Sequence, residues 1–196
     1  MIENPRFSDF LLRLPTDVQL ILADMIPRYQ QGYLDYVYQI EKVDIQALRI
    51  KNLVKNFRKM DYTYVMPMPQ DLALEIIQDW LFPAEFVFSL GEMKGELLSP
   101  ATREEKYFVV IWNGALLGYF RLLPQGDKLD LFLALKPKYL RQGRGARFYQ
   151  TIEAFIKQQE QGTALQVETL EPKIQEFFRT CGFSWSSAGQ TLIKNL

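Results

Sequence analysis

The sequence contains no histidine and a single cysteine, Cys181. Without imidazole there is no Ser-His-Asp or Cys-His catalytic arrangement, no imidazole proton shuttle, and no ordinary histidine-bearing zinc site. With one thiol no intrachain disulfide can form, so nothing points to an oxidising compartment. An excess of charge is missing too. The 23 basic residues balance 23 acidic ones, so no global field draws the chain to nucleic acid or to an anionic membrane. Long apolar runs are scarce: the most apolar early stretch, Val18 to Ile26, is interrupted by Gln19 and Asp24 and is far shorter than a bilayer span. The opening residues, Met1-Ile2-Glu3-Asn4-Pro5, lack the basic region and apolar core of a signal peptide. These absences set the expectation of a cytoplasmic protein that needs no metal, no membrane and no nucleic acid.

The residues that are present fit a packed core. Of 196 residues, 48% are hydrophobic and 14% aromatic. A chain of this length buries roughly 70% of its unfolded surface. Residues 1–60 read as a helical extension. Thr16 and Gln19 are spaced as a capping box behind Pro15, and Pro27 and Gly32 punctuate the stretch after it. Asp44 is placed to cap a helix whose Ile50, Leu53, Val54 and Phe57 form one apolar stripe. Lys51, Lys55, Arg58 and Lys59 lie off that stripe, as a solvated face does.

From residue 61 the pattern changes to β-α-β-β-β-α-β-α-β-β, which is mixed α+β rather than a regular doubly wound sheet. Tyr62 to Met68 is a strand and Asp71 to Trp80 a helix, with a loop-rich stretch after them to Glu105. Tyr107 to Trp112 and Leu116 to Leu123 flank Asn113-Gly114, a strong hairpin signal. Leu129 to Leu135 has almost no polar residue and reads as a buried central strand. Next come a helix over Gly145 to Gln159, a strand over Leu165 to Leu170 and a helix over Glu171 to Cys181. Phe183 to Trp185 and Thr191 to Lys194 close the pattern as short strands.

The sharpest local feature is the junction between the apolar strand and the helix at Gly145, through Leu140-Arg141-Gln142-Gly143-Arg144-Gly145-Ala146. A helix N-terminus offers unpaired N–H groups and partial positive charge, which suits an anion such as phosphate. Gly143 and Gly145 let a ligand approach the backbone, and Arg141, Arg144 and Arg147 add charge. A tight turn with a solvated basic face explains Gly-x-Gly equally well. Two other phosphate loops fail: Phe148 stands where the dinucleotide fingerprint needs its third glycine, and no Gly-Lys-Ser/Thr is present for a Walker loop.

The order of motifs resembles that of the GNAT N-acetyltransferases over about residues 61–196. There a hydrophobic fourth strand runs into Arg/Gln-x-x-Gly-x-Gly/Ala, and after it come a helix, a strand, a helix with an aromatic pair, and Gly-Phe. Here those positions hold Leu140 to Gly145, Leu165 to Leu170, Phe177-Phe178 and Gly182-Phe183. The resemblance implies a GNAT-like mixed, mostly antiparallel sheet with flanking helices, preceded by the N-terminal helical segment, with the acetyltransferase domain over residues 61–196. It implies acetyl-CoA as co-substrate, an amine acceptor (small molecule or protein) as partner, and leaves room for a homodimer. Pantetheine would pair with Leu133, Ala134 and Leu135, and pyrophosphate would sit on Arg141, Gln142, Gly143, Arg144, Gly145 and Ala146. Three positions depart from the family: Leu140 for Arg or Gln, Glu171 and Ile174 for Asn and Ala, and Phe178 for the tyrosine proposed as general acid beside the thioester.

The reaction so implied needs a neutral amine. A lysine-like amine of pKa about 10.4 lies about 3.4 units from pH 7, a cost of roughly 4.6 kcal/mol. A general base recovers about 10²–10⁴-fold. Carboxylates are the candidates: Glu168, an acid within an apolar strand, then Asp130 and Asp127 at the central strand. The leaving thiol, with pKa about 8.5, costs only about 2 kcal/mol at pH 7, so Phe178 is a handicap and not a bar. Tyr107, Tyr119 and Tyr149 are other hydroxyls, each read as packing, and Cys181 reads as a buried structural thiol. Glu85, Glu92 and Glu96 in the stretch 80–105 hint at a cationic acceptor. A non-catalytic acyl-CoA sensor, or an interaction protein acting through its N-terminal helices, remains open.

Overall fold

The computed structural model describes residues 5–83, 90–159, 162–169, 171–187, 189 and 191–196, with the backbone alone at Pro5 and at 90–92. The chain divides into two compact units, Met1–Thr63 with Ile111–Leu116, and Tyr64–Val110 with Leu117–Leu196.

In the first unit the helices are α1 (Pro5–Leu12), α2 (Thr16–Asp24), α3 (Pro27–Tyr38) and α4 (Val43–Phe57). Phe7, Phe10, Leu14, Val18, Leu22, Leu34, Val37, Leu53 and Phe57 are buried together, so each amphipathic helix turns its stripe inward. The capping box does not form. Extended Pro15 takes the N-cap position, Thr16 becomes the first helical residue, and the Gln19 side-chain amide donates to the Leu14 carbonyl at 2.8 Å. Similarly Asp44 falls inside the first turn of α4, where it still complements the helix dipole, and Gly32 lies within α3 rather than ending it. Arg58 on the basic face pairs with Asp17 at 2.8 Å, and both side chains are about half exposed. The hairpin tip of this unit turns at Asn113 and Gly114, both at positive φ, and Gly114 accepts a hydrogen bond from the Ile26 N–H at 2.9 Å.

The strands are β1 (Thr63–Pro67), β2 (Tyr107–Trp112), β3 (Ala115–Gln125), β4 (Lys128–Leu135), β5 (Ala164–Val167), β6 (Ser184–Trp185) and β7 (Leu192–Asn195). Among the described residues they form one sheet in the order β1-β2-β3-β4-β5-β7-β6. β3 runs antiparallel to β4, β4 parallel to β5, and β7 antiparallel to β5 and to β6. The helices of the second unit are α5 (Gln70–Asp79), α6 (Leu90–Leu98), α7 (Pro100–Arg103), α8 (Gly145–Gln159) and α9 (Pro172–Thr180). The stretch read as loop from 81 to 105 therefore contains two short helices. Gly91, Gly95 and Pro100 lower their intrinsic propensity, and a buried Leu97 with Arg103 offsets that loss. The Arg103 guanidinium, almost fully buried, donates to the carbonyls of Met68 (3.0 Å) and Leu97 and to the Gln70 side chain at 2.9 Å.

Alternation along the strands gives the sheet two distinct faces. Phe108 and Phe120 meet Phe155 of α8 at 5.1 and 5.9 Å between ring centres, which defines one face. Gly118 lies on it: a Cβ there would stand 2.5 Å from Phe148 Cζ and 2.6 Å from the Ala134 oxygen. On the opposite face Tyr119 meets Trp80, the residue that ends α5, at 5.6 Å. No helix among the described residues is long and apolar enough to cross a membrane, and no group of three metal-ligating side chains occurs among them.

Candidate active site

Strand pairing changes along β4. The parallel ladder with β5 joins Lys128, Leu129 and Asp130 to Ala164, Leu165 and Gln166 and stops there. β4 continues to Leu135, paired on its other side with β3 as far as Gly118. Among the described residues the β5-facing edge of β4 has no ladder partner beyond Asp130. Backbone groups of Leu133 to Leu135 thus lie beyond the β4–β5 ladder.

At the end of that edge a single 3-10 turn, Pro137–Tyr139, leads into the glycine loop. Arg141 and Gly143 both have positive φ, 60° and 71°, and α8 begins at Gly145. An added Cβ at Gly143 would meet nothing within 4 Å, so this glycine serves the backbone conformation and an open approach. Gly145 is different: its Cβ would stand 2.9 Å from Phe177 Cε2. Gln142 folds back, its side-chain amide donating to the Lys138 carbonyl at 2.5 Å. Arg141, Gln142, Gly143 and Ala146 are exposed, while Arg144 and Gly145 are partly buried. The first N–H groups of α8 have no carbonyl a turn earlier to bind, as at any helix start.

The opposite face carries a polar cluster. Arg121 places Nη1 3.9 Å from Glu96 Oε2 and Nη2 3.6 Å from Asp130 Oδ2. The Tyr107 hydroxyl donates to Glu96 Oε2 at 2.5 Å. Its ionisation is pushed up to about 12 by burial and by the Glu96 contact, against the lowering effect of Arg121. Burial also raises the Asp130 carboxyl above its ordinary value; Arg121 opposes that rise and the Glu168 charge adds to it. Tyr119, fully buried, has no hydrogen-bond partner for its hydroxyl among the described residues, nor has Arg121 Nε.

The family model for the acetyltransferase (GNAT) family matches residues 74–183, more than half of the chain. The chain belongs to the GNAT acetyltransferase family. It is accordingly an acyltransferase. Solved structures are similar in fold at low identity. An aminoglycoside acetyltransferase, AAC(6')-Ib, in complex with coenzyme A is 13% identical, with a TM-score of 0.55 over 68% of this chain and 95% of that one. A spermidine N-acetyltransferase chimera from Vibrio cholerae and hSSAT is 14% identical, with a TM-score of 0.51 over 68% and 93%. A putative GNAT acetyltransferase from Desulfovibrio desulfuricans is 18% identical, with a TM-score of 0.50 over 69% and 98%. No curated protein matches the sequence at a significant level.

Within this GNAT fold the sequence candidates separate. Leu133, Ala134 and Leu135 end β4, and residues 141–146 follow the 3-10 turn to the start of α8. Asp130 stands at the last parallel pair. Glu168 is not inside a strand: β5 ends at Val167 and Glu168 is exposed just beyond it, so burial does not explain this acid. Leu170 lies outside the described residues. Asp127 belongs to a turn, where its carbonyl accepts from the Thr163 N–H at 2.8 Å. Phe178 is 2% exposed and packs on Phe183, Phe177 and Tyr149 at 5.0, 5.5 and 6.5 Å. Cys181 is half-buried, and burial raises its thiol pKa, which disfavours the thiolate. Glu85 lies outside the described residues, as does the Glu92 side chain, whereas Glu96 joins the polar cluster.

Two participants carry no motif in the sequence. Arg121 sits in an apolar strand, and only its odd-numbered register with Tyr119 marks the face. Phe177, not Phe178, abuts the glycine loop, and the signal available was the second glycine of Gly-x-Gly.

Proposed function

We propose that residues 61–196 act as an N-acetyltransferase that transfers an acetyl group from acetyl-CoA to an amine by direct attack. The observation that carries this is the early end of the β4–β5 ladder at Asp130 and Gln166, which leaves the β4 edge from Leu133 to Leu135 beyond the ladder and just before the turn into the glycine loop. Backbone groups on that edge suit the amides of pantetheine. The N–H groups from Gly143 to Ala146, with Arg141 and Arg144, suit the pyrophosphate, whereas the Gln142 N–H donates to the Tyr139 carbonyl at 3.4 Å. Gly143 fits that assignment because nothing crowds its Cα.

The thioester supplies the acyl group. Asp130 then acts as the base. A carboxylate lifted by partial burial holds a proton better than a solvated one, which narrows the gap to an ammonium. Arg121 keeps that carboxyl ionised against the pull of burial and the Glu168 charge. In the transfer an ammonium gives one proton to Asp130, the nitrogen bonds to the acyl carbon as the C–S bond breaks, and a second proton leaves with the thiolate as coenzyme A. Glu168, exposed just past the end of β5, is the second candidate base, and its charge acts on Asp130. No side chain at 178 is needed to protonate the thiolate, given a deficit of only about 2 kcal/mol at pH 7.

Calorimetric titration of the protein with coenzyme A, then thiol release from acetyl-CoA over an amine panel, tests the reading. Micromolar binding and amine-dependent thiol release are expected. Absence of a binding heat or thermal shift at millimolar coenzyme A would sink it.

A further inference from the structure

The polar cluster is out of electrical balance. Glu96 and Asp130 both reach one guanidinium, that of Arg121, the Glu168 charge acts on Asp130, and Glu75 pairs with Lys136 at 2.6 Å. Among the first four of these groups three carboxylates stand against one cation, an excess of two negative charges, with Asp130 and Arg121 partly buried. Arg121 does not satisfy its neighbours tightly either. Its contacts at 3.6 and 3.9 Å exceed the roughly 2.7–2.9 Å of a full charge-assisted hydrogen bond.

A second, independent feature lies in the same place. Tyr119 is 0% exposed and its hydroxyl has no partner among the described residues. Tyr119 lies two residues before Arg121 on the same face of β3, and its hydroxyl is within electrostatic reach of Tyr107 and Arg121. A buried hydroxyl left unpaired costs about 1–3 kcal/mol, so the position calls for a partner. Trp80 and Phe132 flank the Tyr119 ring at 5.6 and 5.9 Å, an aromatic wall that suits methylene groups and cations.

We propose that the acceptor is a short-chain amine bearing a second ammonium group. The reacting nitrogen meets Asp130, while the remote ammonium is held by Glu96 with the Tyr119 hydroxyl accepting one of its N–H bonds. Glu168 adds field without direct contact. Such a substrate carries two positive charges, which is the charge the cluster lacks. Glu96 and Asp130 are separated by the span of one guanidinium, a distance that a chain of a few methylenes bridges. The proposal rests on reading this face as the acceptor side of the N-acetyltransferase.

The test compares 1,5-diaminopentane with 1-aminopentane on the full chain, by thiol release from acetyl-CoA and by thermal shift with the amine alone. A kcat/KM at least about 10-fold higher for the diamine is expected, expressed in KM and shrinking between low and high salt. Glu96→Gln should lower the diamine value about 10-fold and the monoamine value by much less. Glu176→Gln, an exposed acid on α9 paired with Arg179, should leave the ratio alone. Equal values for the two amines, equal losses in Glu96→Gln, or preference for 6-aminohexanoate (which would give Arg121 the binding role) overturn the proposal. Should no amine be acetylated, the N-acetyltransferase reading falls separately. The diamine site then stands if the diamine stabilises the wild type and not Glu96→Gln, and falls if it stabilises neither.

Discussion

The glycine loop before α8 and the polar cluster around Arg121 belong to one sheet, yet they are made of different materials. The loop works through backbone: two residues at positive φ, a glycine with open space at Gly143, and the first N–H groups of a helix. The cluster works through side chains contributed by β2, β3, β4 and α6, with no two of them adjacent in sequence. Backbone recognition tolerates wide variation in side chains and needs its glycines in place. Side-chain recognition has no fixed spelling, and in the proposed reading it is this half that distinguishes one acceptor from another.

The largest expected effect comes from breaking the loop with charge. Gly143→Glu should lower coenzyme A affinity about 10³-fold, because a carboxylate some 4 Å from a pyrophosphate costs about 4 kcal/mol at an effective dielectric constant of 20. Gly143→Ala sharpens the point. Its methyl meets nothing within 4 Å, so its penalty is the positive φ alone, about 1–2 kcal/mol. Titration calorimetry of both variants measures the difference, and equal losses would mean that no anion sits there. Neither change should alter the thermal shift given by a diamine, since that signal belongs to the other face.

Asp130→Asn breaks the acceptor side in turn. Thiol release should fall about 10²-fold, the low end of general-base effects because Glu168 remains close, while coenzyme A affinity is unchanged. The pH profile carries a sign. Asp130 must be ionised to accept a proton, and its pKa is raised, so in the wild type the acid limb of activity should lie above the ordinary carboxylate range of about 4. Activity should be lost as pH falls through that raised value. In Asp130→Asn that limb should disappear. Its persistence in steady-state rates across pH 4–8 would transfer the base to Glu168.

Legibility in the sequence divides along the same line. The hairpin at Asn113-Gly114, the apolar β4, and helix α8 from Gly145 to Gln159 could be read because local chemistry decides them: turn residues, period, and a glycine start. The α6–α7 segment could not, since two glycines and a proline hide helices that exist by burying Leu97 and by the hydrogen bonds of Arg103. Thr16 failed as a cap because Pro15 had already taken the extended position before α2. Glu168 looked exceptional only while its strand was drawn through residue 170. Arg121 carried no local signal at all, because its meaning arises from three neighbours brought together by register.

The smallest effect, and the one that joins the two faces, concerns Phe178. By resemblance this position holds the hydroxyl that protonates the leaving thiolate, so a site at 178 would sit where coenzyme and acceptor meet. The ring instead lies among Phe177, Phe183 and Tyr149, with 2% of its surface exposed. The Tyr149 hydroxyl is itself buried without a hydrogen-bond partner among the described residues. Phe178→Tyr therefore adds a second hydroxyl to an aromatic cluster with little to receive it. A buried unpaired hydroxyl costs about 1–3 kcal/mol, and each kcal/mol lowers the melting temperature of a chain this size by roughly 2–4 °C. Were the new hydroxyl beside the sulfur, it would have a partner, stability would hold, and the rate could rise up to about 10-fold from part of the roughly 2 kcal/mol protonation deficit. We expect the first outcome, a lower melting temperature with unchanged thiol release from the same preparation. A faster enzyme of unchanged stability would move position 178 from the core to the thioester and place both faces of the site around it.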